Sequence, residues 1–197
     1  MPAAARKVTP DDLLSDADYA KVRRERRAQL LPIKRLRRVS LGPFCTFIFE
    51  SYETMLFQIQ EMLLTERGGP AQIPDELDAY NPLIPQGQEL VATVMLEIDD
   101  PVRREKTLAR LGGVEERFFL QIGAERVPGA PEDDAERTRE DGKTAAVHFV
   151  RFQLKPEQIA VFRDPATVIM VGCDHELYSH LAGLSPAARA ELAHDFA

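Results

Sequence analysis

The chain lacks most of the features that announce a function. It has no run of about 18 apolar residues, so no transmembrane helix is expected. Its first residues, MPAAARKVTPDD, have no apolar centre of the kind a signal peptide needs. There are 2 cysteines, Cys45 and Cys173, too few and too far apart for a disulfide framework, so a reduced cytoplasmic protein is the default expectation. No HExxH, GxSxG, CxxC or glycine-rich phosphate loop occurs, and no serine sits in a nucleophile elbow. Standard hydrolytic or redox machinery is therefore not indicated. The formal net charge of -7 disfavours general nucleic-acid binding, and no aromatic residues interleave with the basic ones.

What is present is the patterning of a globular core. A length of 197 residues suits one domain, and 44% hydrophobic with 29% charged residues is enough to build one sizeable core. The densest signal is Arg38 to Glu66. Two short β-rich runs, Arg38 to Leu41 and Cys45 to Ser51, flank a Gly42-Pro43-Phe44 turn. In the second run Cys45, Phe47 and Phe49 share one face. The period then becomes helical through Met55, Ile59, Met62 and Leu63, and Gly68-Gly69-Pro70 ends the helix. That helix is expected to pack on the hairpin before it.

Upstream, residues 1–8 read as a loose tail, and Ser15 with Asp18 at capping-box spacing opens a helix over 16–30 that Pro32 breaks. Downstream, Glu89 to Ile98 is apolar on both faces, as a covered central strand would be. Asp100-Pro101 opens a helix that Gly112-Gly113 stops, and Arg117 to Gly123 is a further strand. The acidic stretch 125–143 has almost no large apolar residues and reads as a long flexible connection. Ala145 to Leu154 and Thr167 to Cys173 complete the strands, with a short helix between them and an Ala-rich one after Ser185-Pro186. Strands joined by hairpin-type connections, without βαβ alternation, predict an α+β fold: a mostly antiparallel sheet of about five or six strands with helices against it.

Two features offer themselves for docking. The segment Lys21 to Arg38 is strongly basic, with Arg23, Arg27 and Arg37 among its cations, and the alternative is a solvated helix face. The Tyr80-Asn81-Pro82 loop is stiffened by proline and would lose little entropy on binding.

Metal or acid/base chemistry is the second reading. His148 shares a strand face with apolar neighbours, and a buried imidazole needs a partner, which could be a metal or a hydrogen-bonding group. Cys173 and His175 lie at a strand end, and Glu50 and Glu97 lie on or beside apolar elements. Imidazole, thiolate and carboxylate together suit one divalent iron, manganese or zinc ion, but only if folding gathers them. The carboxylates have a plainer alternative, salt bridges to Arg37, Arg38 or Arg103. Cys45, between apolar neighbours, reads as an inert thiol. A third reading is a small-molecule pocket between the sheet and the Glu53 to Glu66 helix.

The stretches RRVSLGP, QIQEML, DELDAYNPLIPQGQELVATVMLEI, VHFVRF and DHELY resemble a bacterial domain-of-unknown-function family, the one numbered 3501. The resemblance runs from about Thr9 to Tyr178. It carries no activity and no assigned catalytic residues. It implies small bacterial proteins whose genes are often neighbours of a rubrerythrin-like protein and an iron–sulfur oxidoreductase. The expectation it adds is a non-catalytic accessory that docks on such a redox partner.

Overall fold

The computed structural model describes residues 6–132 and 142–197. The elements run α1 (Asp16–Leu36), β1 (Arg38–Leu41), β2 (Cys45–Phe49), α2 (Tyr52–Glu66), α3 (Ile73–Tyr80), β3 (Glu89–Leu96), α4 (Pro101–Leu108), β4 (Phe118–Ile122), β5 (Glu125–Pro128), β6 (Ala130–Pro131), β7 (Val147–Gln153), α5 (Pro156–Arg163), β8 (Ile169–His175), β9 (Tyr178–Gly183) and α6 (Pro186–Leu192). The α+β class is as the sequence predicts. The strands divide, however, into two antiparallel sheets, β1-β2-β3-β7-β6 and β5-β4-β8-β9. Period-two patterning shows which face of a strand is buried but not which sheet the strand joins.

The inner faces of the two sheets close on one aromatic-rich core. Phe47 of β2 meets Phe118 of β4 edge-on, with centroids 5.4 Å apart, and Phe49 and Phe152 stack around them. From the central strand, Leu90, Ala92, Val94 and Leu96 enter this core. Val91 points to the opposite side, where Met55, Ile59 and Leu63 of α2 cover it. The doubly apolar pattern of β3 thus has its expected cause, and the helix lies on the sheet that contains its hairpin. A capping box starts α2: the Ser51 hydroxyl accepts from the Thr54 N–H and the Thr54 hydroxyl from the Ser51 N–H. Its left-handed C-terminal residue is Arg67 (φ 57°), not one of the following glycines.

Four local expectations give way. Helix α1 continues through Pro32 to Leu36. The lost N–H costs one hydrogen bond, but the next turns are anchored by buried Arg37, whose N–H also caps Ile33 O. The strand expected to end at Cys173 runs on to His175 and turns back as the β8–β9 hairpin. The acidic stretch 125–143 starts as structure, since β5 pairs with β4 and β6 with β7. The rest of that expected flexible connection, residues 133–141, lies outside the described residues, as do residues 1–5 of the expected tail. Residues 6–8 are not loose: Val8 is buried and Arg6 donates to Pro85 O and Asp195 O. Among the described residues no helix is long and apolar enough to cross a membrane.

Candidate functional site

Helix α1 lies beside α2, and its residues alternate between two duties. Tyr19 and Arg23 turn to α2, where both hold Glu61: the Tyr19 hydroxyl donates to Oε1 at 2.8 Å, and Arg23 forks onto both oxygens at 2.7 and 2.8 Å. These donors, the Arg23 guanidinium foremost, hold the Glu61 carboxyl below the usual carboxylate range. Arg27, Leu31, Lys34 and Arg35 recur every three or four residues on a neighbouring face. They border a cavity of about 540 Å³ whose other walls include Phe57 of α2 and Ile48 of β2. Leu31 is 46% exposed there, and the Lys34 ammonium sits 5.9 Å from the centre of the Phe57 ring. Arg38, at the far rim, is bound to Glu97. Among the described residues Arg27, Lys34 and Arg35 form no ion pair with a carboxylate. The result is a groove with an apolar floor, three cations that form no ion pair among the described residues, and one carboxylate, Glu61, already held by Tyr19 and Arg23.

The five proposed metal ligands are not brought together. His148 faces the inter-sheet core opposite Val94, fully buried, with Nε2 2.9 Å from Ala145 O and 3.3 Å from the Thr144 hydroxyl. Glu50 lies across the sheet from it, on the side facing the helices, accepting from the Thr54 and Thr93 hydroxyls at 2.7 Å each. Burial pushes its carboxyl above the usual range, against those two hydrogen bonds. Glu97 accepts from the Thr46 hydroxyl at 2.6 Å and from Arg38 at 2.7 and 2.9 Å, which lowers its carboxyl. His175 accepts at Nδ1 from Leu177 N–H, and its Nε2 is 3.3 Å from Gly112 O. Cys173 is buried, which raises its thiol to about 11, and burial also raises Cys45. No group of three or more His, Cys, Asp or Glu side chains among the described residues is placed to hold a metal ion.

The docking candidates separate too. Arg27 lines the groove. Arg23 is committed to Glu61. Arg37 is not a surface residue: its side chain is 2% exposed, forked onto Asp195 at 2.7 and 2.9 Å and bonded to Glu191 and to Glu50 O. Burial raises the Asp195 carboxyl, while the same pairing keeps Arg37 charged. The Asn81 amide accepts from Val8 N–H at 2.8 Å and donates to Val8 O at 3.0 Å, and Tyr80 packs into the α2 cluster. The stiff loop therefore fastens the N-terminal segment rather than presenting a free face.

Comparison with known proteins agrees with this geometry at the level of fold. The family profile described as "Protein of unknown function (DUF3501)" matches residues 7–196. The chain belongs to this family. A crystal structure of a novel protein of unknown function from Burkholderia pseudomallei is similar at 39% identity and a TM-score of 0.89, covering 97% of this chain and 100% of that one. No curated protein matches.

For this DUF3501 chain, sequence reasoning found the basic segment but missed Lys34 and Arg35 as its available part, and missed Leu31 and Phe57 as its floor. The heptad-like recurrence of Arg27, Leu31, Lys34 and Arg38 was the available signal. Pro32, read as a helix breaker, divided the stripe and hid it.

Proposed function

We propose that the chain is a non-catalytic docking protein whose α1–α2 groove receives an acidic segment of a redox partner carrying an apolar side chain. One observation supports the docking: three cations that form no ion pair among the described residues border an apolar floor, and the groove's one carboxylate, Glu61, is already held by Arg23, in a protein whose net charge is -7. The redox identity of the partner is supported by the gene neighbourhood that the family resemblance implies.

The two parts of the groove have different tasks. Exposed ion pairs contribute about 0–1 kcal/mol each, so three of them orient the partner and speed its arrival without binding it tightly. Covering Leu31 and Phe57 adds the contact that outlasts the encounter, at roughly 25 cal/mol per Å². A micromolar, salt-sensitive complex is the expected outcome, about 8 kcal/mol in all.

The test uses purified protein with the purified iron–sulfur oxidoreductase and, separately, the rubrerythrin-like protein, titrated at low and high salt. Binding to either one that weakens with salt, and that Arg27→Glu with Lys34→Glu and Arg35→Glu reduces by about tenfold or more, is the expected result. Absence of binding to both at low salt, or a triple variant that binds as the parent does, overturns the reading.

A further inference from the structure

A second cleft lies where the edges of the two sheets, β1 and β9, meet. Its first wall is α4, the crossover from β3 to β4. Arg103, Lys106 and Arg110 follow one another at spacings of three and four, which puts three cations on one side of that helix and its continuation. Its second wall is aromatic. Phe44 in the β1–β2 turn packs on Tyr178 of β9 with centroids 4.6 Å apart, and Tyr178 meets His180 edge-on at 4.4 Å. The cleft between them has a volume of about 520 Å³, within the usual range for small-molecule sites.

The aromatic wall is held from both sheets. The Tyr178 hydroxyl donates to Leu41 O at 2.5 Å and accepts from Cys45 N–H at 3.1 Å. The His180 ring lies against Gly42, where a β-carbon would stand 2.7 Å from it; with φ at +63° that turn position favours glycine twice over. At the mouth, Val102 is 59% and Leu177 49% exposed. The cationic wall is uncompensated: among the described residues Arg103, Lys106 and Arg110 form no ion pair. Asp100, the carboxylate in the lining, accepts from the Arg103 N–H as the helix N-cap.

We infer that this cleft is a binding site for an aromatic phosphate monoester of mononucleotide size. A phosphate dianion offers three acceptor oxygens to three cationic side chains, where a single carboxylate would leave part of that charge uncompensated. The ring of the same ligand covers the apolar mouth and lies against Phe44 and His180. Neither half of the ligand satisfies both walls alone.

The experiment is calorimetric titration of the full chain with AMP, phenyl phosphate, adenosine and inorganic phosphate. AMP or phenyl phosphate is expected to bind with a Kd below about 1 mM, and about tenfold or more tighter than adenosine or inorganic phosphate. Arg103→Gln with Lys106→Gln, both at exposed positions, should lose about tenfold of that affinity with an unchanged melting temperature. His180→Ala should weaken AMP by about three- to tenfold and leave inorganic phosphate unaffected, a split that a general loss of charge would not produce. The inference is overturned if neither ring-bearing phosphate binds at millimolar concentration. It is equally overturned if inorganic phosphate binds as tightly as AMP, or if the Arg103 and Lys106 variant binds AMP as the parent does. The Arg103, Lys106 and His180 variants leave the α1–α2 groove intact, so anion binding there would survive them, and this outcome and that of the docking test are distinguishable.

Discussion

Within the single basic run Lys21 to Arg38, two sets of cations have opposite fates. Arg37 is sealed beneath α6, with a carboxylate fork on one side and Glu50 O on the other. Arg27, Lys34 and Arg35, a few residues upstream, border a groove and form no ion pair among the described residues, the groove's Glu61 being held by Arg23 instead. Residue type and local charge density are the same in both. What differs is what the fold brings opposite them: the C-terminal segment with Asp195 for Arg37, and for the others Phe57 and Ile48 with a Glu61 that Arg23 has already taken. A cation that has been desolvated and paired serves stability, and one left facing an apolar floor is available to a ligand.

The strongest way to sharpen this comparison is Arg37→Ala. It strands the buried Asp195 carboxyl and removes the donor to Glu50 O, and breaking a buried pair in this way costs about 3–5 kcal/mol. Urea unfolding followed by circular dichroism should show that loss, and Arg37→Ala with Asp195→Ala should recover part of it. A cost under about 1 kcal/mol would place Arg37 in the same class as its exposed neighbours and break the comparison.

The sequence made the strands legible because each has an alternating or doubly apolar face, and β3 declares its two covered faces through Leu90 to Leu96. It did not make the partition into two sheets legible, because a strand such as β4 carries no mark of whether β3 or β8 will be its neighbour. The same limit governs the candidate sites. Arg37 and Arg35 look alike until Asp195, 158 residues away from Arg37, is folded against one of them. His148 reads from the sequence as a ligand or, more readily, as a hydrogen-bonded core residue, and it takes the fold to place the Thr144 hydroxyl and Ala145 O beside its ring. Cavities lined by residues from distant elements, such as Phe44, Arg103 and His180, have no signature in sequence spacing at all.

A smaller effect separates Glu50 from Glu97, the carboxylates beside Arg37 and Arg38. Burial raises Glu50 above the unfolded value of 4.5, so its folded form takes up a proton more readily. Its contribution is therefore most favourable below 4.5 and is lost as pH rises through the folded value. Glu97 has the opposite sign. The Thr46 hydroxyl and Arg38 depress it, so its contribution is present above 4.5 and is lost as pH falls through the folded value. Thermal melting between acid and neutral pH should show Glu50→Gln gaining on the parent as pH rises. Glu97→Gln should be less stable than the parent at neutral pH, with the gap closing toward acid. Parallel curves for both variants would mean that neither carboxylate differs in proton affinity between the folded and unfolded states.

The smallest stability effect belongs to the groove itself. Neutralising Arg27, Lys34 and Arg35 together with glutamine should change unfolding free energy by no more than about 0.5 kcal/mol, since none of the three has an ion pair to lose among the described residues. Removing three like charges from one helix face also relieves their mutual repulsion, so the sign should be neutral or slightly stabilising. The measurement is equilibrium urea unfolding at low salt, where that repulsion is least screened. A clear destabilisation would mean that these cations serve the fold after all, through the Phe57 contact of Lys34 or the field of Glu50 and Glu61, and the groove would lose its claim to be a surface kept for a partner.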